Sequence, residues 1–414
     1  MERVFAEYLI ETPYDVEQAS AVLAGEQSSG TFVSVPGETE ELKKRFAARV
    51  EEIQLLDLAE EPSIPGGSIP GKKYQKARVK VSWSIENFGY NLPVLISTLQ
   101  GNLYEITQFT GLKLMDFELP DSFKNHFKGP KFGIKGSKLS CDVPAARPMI
   151  GTIIKPSIGM SIDETATLVK SLIDAGIDFI KDDELMGSAA NSPFDERVKA
   201  IMKVIRDNEQ ITGKKVMYAF NISDEIDEMQ RKYDLIKKEE GSCAMISVNS
   251  VGLAGTKKIC DQGELVIHGH RNGWGMLNRH PLLGIEFPAY QKIQRLAGVD
   301  QLHVNGIQNK FWESDDSVVT SIKSCLKPFL GGHEILPVVS SGQWGGQAVE
   351  TYRRTQTTDL LYMAGGGILA HPMGPKAGVN ALQQAWTGAV DGLSVEETAL
   401  KYPEFAASVK KFSK

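Results

Sequence analysis

The chain has 414 residues, 42% hydrophobic and 24% charged, an ordinary globular balance with length for roughly two to three domains. A formal net charge of −6 gives no basic footprint, which argues against nucleic acid as a main partner. No apolar run approaches the roughly 20 residues needed to span a bilayer, and Cys141, Cys243, Cys260 and Cys325 lack the spacing of a disulfide framework or a zinc site. Met1 leads through Glu2 and Arg3 directly into a strand-like stretch without a signal peptide, so the expectation is a soluble, cytoplasmic protein with no membrane partner.

The first region, 1–143, mixes its elements. Strands are expected at Val4–Ile10, Thr31–Val35, Ala77–Trp83 and Leu112–Leu119, and helices at Val16–Leu23, Leu42–Val50 and Leu92–Leu99. Interleaved in this way they predict a compact α+β domain over one sheet. Pro62–Lys73 is a Gly/Pro/Ser loop, and Phe127–Pro148 is the expected linker.

In the second region, 144–414, the rhythm becomes strand followed by helix. Apolar runs stand at Ile150–Lys155, Phe179–Asp183, Val216–Ile222, Met245–Asn249, Leu265–His270, Gln301–Val304, Ile335–Ser340 and Leu360–Ala364. Most precede an amphipathic stretch long enough for a crossover helix, which predicts a (β/α)₈ barrel. A doubly wound open sheet would give similar runs.

Polar and glycine residues gather just past these runs, at the strand ends where a barrel does its chemistry. Lys155 ends the first. The second carries Lys181, Asp183 and Glu184, and alternation turns Asp182 to the opposite face. One amine and two carboxylates around a point suit a hard cation, except that an ammonium repels it. Conversion of Lys181 by CO2 to a carbamate would turn that repulsion into a third anionic oxygen ligand, and Mg²⁺ would then fit. Taken alone, Lys-Asp-Asp-Glu also reads as a charged loop after a buried strand. His270 and Arg271 offer a hydrogen bond to oxygen and an anion clamp. Ser340-Ser341-Gly342 and Gly365-Gly366-Gly367 follow the seventh and eighth runs, the usual phosphate site of a barrel. His126, His280 and His333 read as ordinary surface or packing residues.

These residues carry a resemblance. Gly151-Thr152-Ile153-Ile154-Lys155-Pro156-Ser157-Ile158-Gly159 and Gly176-Ile177-Asp178-Phe179-Ile180-Lys181-Asp182-Asp183-Glu184 resemble the base motif and the carbamylated-lysine metal motif of ribulose-1,5-bisphosphate carboxylase (RuBisCO). His270-Arg271, His303 with Lys310, Ser340 and Gly365-Gly366 are similar to the family's active-site, mobile-loop and phosphate-binding positions. The resemblance implies that Lys155, His270 and Lys310 are catalytic, and that Lys181, Asp183 and Glu184 hold Mg²⁺ with CO2 as the Lys181 carbamate. It implies that Arg271, His303, Ser340, Gly342, Gly365 and Gly366 bind substrate and phosphate. It further implies a ferredoxin-like first domain and a homodimer with shared sites, in which Glu26, Thr31 and Asn102 complete the partner's site.

The departures point away from CO2 fixation. Ser157 stands where the family carries a second lysine, Ile153 replaces a threonine before the base, and Trp274 replaces a second histidine. The loop Asn305-Gly306-Ile307-Gln308-Asn309-Lys310-Phe311-Trp312-Glu313 lacks the Gly-Thr-Val character of carboxylases. The chain is therefore similar to RuBisCO-like, form IV proteins, and its loop and Ser-Ser-Gly resemble members of acid-sugar breakdown. That implies decarboxylation of a phosphorylated 3-oxo acid sugar, with 3-oxo-isoapionate 4-phosphate as the named candidate. A transcarboxylase/hydrolase on the same compound, an isomerase or enolase of a (methylthio)ribulose-type phosphate, and an inactive binding protein are the alternatives.

Overall fold

A computed structural model describes residues 2–29 and 35–413. Its strands, in chain order, are β1 (Arg3–Thr12), β2 (Arg49–Ala59), β3 (Tyr74–Ser84), β4 (Gly111–Glu118), β5 (Met149–Ile153), β6 (Phe179–Lys181) and β7 (Met217–Asn221). There follow β8 (Cys243–Ser247), β9 (Val266–His270), β10 (Leu283–Ile285), β11 (Gln301–His303), β12 (Leu336–Val339) and β13 (Leu361–Met363). The chain forms two compact units, Met1–Lys128 with Gly273–Ile293, and Gly129–Asn272 with Gln294–Lys414. The single border drawn from sequence after Val143 is coarser, because β10 is too short to give a periodic signal.

The first unit is one sheet in the order β10-β4-β1-β3-β2. β1 runs antiparallel to both β3 and β4, and β2 antiparallel to β3, the ferredoxin-like arrangement, with β10 added parallel to β4. Alternate residues of β1, among them Val4, Ala6, Tyr8 and Ile10, are buried, as period-2 patterning requires. The helices Val16–Glu26 and Leu92–Leu99 start at side-chain caps from Asp15 and Asn91, which satisfy first-turn N–H groups.

One expectation fails here. The helix expected over Leu42–Val50 spans only Glu40–Phe46, and Val50 belongs to β2, which sequence patterning missed. β2 is an edge strand, largely exposed, and its register shifts twice against β3. Bulges of this kind break the two-residue alternation. The strand expected at Thr31–Val35 lies, apart from Val35, outside the described residues.

The second unit is a closed parallel barrel, β11-β12-β13-β5-β6-β7-β8-β9, which decides against the open sheet. Three runs end two residues earlier than expected: β5 stops at Ile153, leaving Lys155 beyond it, β6 stops at Lys181, leaving Asp183 in the loop, and β8 stops at Ser247, where a short helix Val248–Val251 begins. Met149, Phe179, Met217, Met245, Leu336 and Leu361 are part of the buried apolar cluster.

Carboxylates fasten the N-terminal ends of the strands. Asp300, just before β11, accepts from Ile267 N of β9 at 2.8 Å and from Phe132 N and Gly133 N at 2.6 and 2.9 Å. Asp178, just before β6, accepts from Ile150 N and pairs with Arg147 through both oxygens. The expected linker therefore includes a helix, Gly133–Leu139, docked at this end through Asp300. Phe132 and Ile134 pack on the core. The C-terminal strand ends carry the polar cluster.

Candidate active site

Lys155 follows β5, held by Ile154 N donating to Lys181 O at 3.0 Å. Its ammonium donates to Asp183 Oδ2 at 2.5 Å and to Ser157 Oγ at 2.7 Å. Lys181, the last residue of β6, is buried; its Nζ donates to Asp182 O at 2.9 Å and to Glu184 Oε2 at 3.2 Å. His270, the last residue of β9, brings Nε2 to 3.4 Å from that same oxygen. Asn221, ending β7, donates from Nδ2 to Glu184 O and Met186 O at 3.2 Å each and so fixes the turn carrying the acids. Two lysines, two carboxylates and a histidine thus meet at the ends of β5, β6 and β9.

Asp182 faces the other way, as alternation requires. It accepts from Tyr218 OH at 2.6 Å, from Asn221 N at 2.9 Å and from the buried Arg197 guanidinium at 3.3 Å. This network ties β6 to β7 and to the helix Phe194–Thr212, and supports the neighbouring acids from behind.

Burial lowers the Lys181 ammonium, an effect that the opposing attraction of Glu184 and Asp183 does not cancel. Burial raises Glu184, but His270 and Lys181 outweigh it and hold the carboxyl at about 2. Burial, reinforced by Lys181, brings His270 down to about 4, so its imidazole is neutral at physiological pH.

A second cluster holds the expected anion-binding residues. Arg271 does not stand open: Nη2 donates to Glu313 Oε2 at 2.9 Å. Glu313 also accepts from Asn305 Nδ2 and from Ser317 Oγ. It closes the loop bearing Lys310, just before the helix Asp315–Leu326, and its partnership with Arg271 was not legible in the sequence. Lys310 N donates to Ser341 O at 3.1 Å, and its ammonium lies over the Phe311 ring at 5.2 Å. A Cβ on Gly342, whose φ is +85°, would lie 3.5 Å from that of Lys310. Gly366 opens a short turn after β13 and has open space where a Cβ would stand; Gly365 has only Ile153 within 4 Å.

His303 and Ser340 are joined through Nδ1 and Oγ at 3.0 Å. His268, to which the sequence assigns a strand-end position but no role, lies behind them with Nε2 2.9 Å from His303 Nε2. The signal was present in His268-Gly269-His270, since residues two apart on a strand share a face. In the first unit, Glu26 ends a helix and Asn102 lies in the turn Gly101–Glu105; the intervening Gln27 side chain packs against Gly101. Thr31 lies outside the described residues.

Among the described residues no three His, Cys, Asp or Glu side chains form a ready metal site. The residues nevertheless fit one. Asp183 and Glu184 are oxygen donors already facing lysine ammonium groups, and burial lowers the proton affinity of Lys181, which favours the neutral amine that attack on CO2 requires. No helix among the described residues is long and apolar enough to cross a membrane.

Residues 142–412 match the ribulose bisphosphate carboxylase large chain, catalytic domain, and residues 2–123 its N-terminal domain. The chain is 49% identical to a 3-oxo-isoapionate-4-phosphate transcarboxylase/hydrolase of Xanthobacter autotrophicus, over 99% of both chains. It is also 49% identical to a 3-oxo-isoapionate-4-phosphate decarboxylase of Rhizobium etli, over 98% of both. A solved rubisco-like protein from Burkholderia fungorum superposes over 100% of both chains, with a TM-score of 0.93 at 42% identity.

Proposed function

The chain belongs to the RuBisCO large-chain family as a RuBisCO-like, form IV protein, and from that premise we propose that it decarboxylates 3-oxo-isoapionate 4-phosphate and does not fix CO2. The observation that carries this reading is its end-to-end similarity to the Rhizobium etli decarboxylase, in a chain whose Lys155 ammonium is poised at the acid cluster.

In a 3-oxo acid the bond to the carboxyl carbon breaks, CO2 leaves, and the electron pair passes to the neighbouring carbonyl as an enolate. Lys155 Nζ then delivers a proton to the carbon that lost CO2. Asp183 and Ser157 hold that ammonium in place, and its partly exposed side chain allows reprotonation from solvent. Neutral His270 hydrogen-bonds a substrate oxygen and steadies Glu184. Arg271, Ser340, Gly342, Gly365 and Gly366 bind the acid-sugar phosphate, His303, with both ring nitrogens engaged, acts on it through Ser340, and Lys310 faces its carboxylate. Mg²⁺, held by Asp183, Glu184 and a carbamate on Lys181, would supply a fixed positive charge where negative charge develops on the substrate. Glu26, Thr31 and Asn102 complete the site of a second copy in a homodimer.

The equal similarity to the Xanthobacter autotrophicus enzyme favours a second reading, transcarboxylation and hydrolysis of the same compound. Incubating the protein with 3-oxo-isoapionate 4-phosphate and following both products and CO2 separates the two. Stoichiometric CO2 supports the decarboxylase; cleavage without CO2 release supports the other.

A further inference from the structure

Four side chains inside the barrel form one unbroken hydrogen-bonded chain. Gln301 Oε1 lies 2.8 Å from His268 Nδ1, His268 Nε2 lies 2.9 Å from His303 Nε2, and His303 Nδ1 lies 3.0 Å from Ser340 Oγ. All four residues are buried. They come from β9, β11 and the residue just after β12, and β11 presents Gln301 and His303 to the same face.

The direction of such a chain is decided at its ends. A neutral imidazole has one N–H and one lone pair, so the bond made by one nitrogen sets the role of the other. Gln301 Nε2 donates to Met217 Sδ at 3.5 Å. A thioether accepts only, so the amide cannot turn without opposing its oxygen to sulfur and presenting N–H to His268. The carbonyl of Gln301 therefore accepts from His268 Nδ1–H. His268 Nε2 is then the lone pair, His303 Nε2 carries the hydrogen, His303 Nδ1 accepts, and Ser340 donates its hydroxyl hydrogen inward. The far side agrees. Asn305 Nδ2 donates to Glu313, so its Oδ1 faces Ser341, whose hydroxyl donates to it at 2.7 Å. Ser341 Oγ, 3.4 Å from Ser340 Oγ, is thereby also left as an acceptor.

We propose that Gln301 is a positioning residue of this site: it fixes the tautomers of His268 and His303 and leaves Ser340 Oγ an acceptor toward the substrate. With its hydrogen committed inward, Ser340 recognises a hydroxyl donor of the sugar and gives no hydrogen bond to a phosphate, carboxylate or carbonyl oxygen. The consequence for substrate rests on the function proposed above; the tautomer assignment does not.

The test is ¹⁵N NMR of the full-length, histidine-labelled protein without substrate, with signals assigned through His268→Gln and His303→Gln. His268 is expected as the Nδ1–H tautomer and His303 as the Nε2–H tautomer. The reverse pair in the unsubstituted protein overturns the proposal and needs no variant to fold. Gln301→Leu is expected to give mixed tautomers and to raise KM about 10-fold, the equivalent of one lost hydrogen bond, with a smaller change in kcat. Gln301→Glu, which still accepts from His268, is expected to restore the single tautomers. Unmixed tautomers in Gln301→Leu would remove Gln301 from the role, whatever the enzyme's substrate proves to be.

Discussion

The Lys155 ammonium lies 2.5 Å from Asp183 Oδ2, so the proposed proton donor and a proposed metal ligand form one ion pair. Lys155→Met should therefore separate two functions. Proton delivery is lost, lowering kcat by about 10²–10⁴-fold, while Asp183, freed of its partner, binds Mg²⁺ at least as well. Turnover assays beside calorimetric Mg²⁺ titration check both halves; loss of Mg²⁺ binding would make Lys155 a structural member of the cluster.

Lys181→Met removes the amine that would take up CO2 and leaves two carboxylates. Outer-shell changes alone cost ~10–100-fold in metal affinity, and losing a ligand should exceed that. A carbamate signal from ¹³C-bicarbonate is expected in the unsubstituted protein with Mg²⁺ and is expected to vanish in the variant.

Asp182 tests the support behind the site. Its carboxylate is the buried ion-pair partner of Arg197 and also accepts from Tyr218. Asp182→Ala leaves that guanidinium uncompensated, and a destabilisation of about 3–5 kcal/mol is expected in urea unfolding. A change within experimental error would show that Arg197 finds other partners.

Acid should destabilise the barrel through its buried histidines. Burial brings His268 down to about 3, while the unfolded chain holds it near the ordinary value. The folded state thus favours the neutral ring. Its contribution is full above about pH 6.5 and is lost as pH falls toward the folded value. Urea unfolding of His268→Gln should show a shallower acid dependence, by about 1.4 kcal/mol per pH unit. Parallel curves would mean that His268 takes up its proton as readily in the folded protein as in the unfolded chain.

The barrel was legible because parallel strands buried on both faces read as continuous apolar runs. Lys155, Lys181, Asp183 and Glu184 stood out because charge at the end of such a run has no packing reason to be there. Other features depend on contacts remote in sequence. Glu313 meets Arg271 from 42 residues away, and no local pattern marks a carboxylate that will be buried by its partner. β2 escaped for the opposite reason, since an exposed, bulged edge strand needs no apolar alternation.

The most direct test of the account is CO2 release from 3-oxo-isoapionate 4-phosphate by the purified protein with Mg²⁺ and bicarbonate. One CO2 per substrate consumed is expected, with activity lost on chelation and lowered about 10²–10⁴-fold by Lys155→Met. Substrate left untouched under these conditions would contradict it.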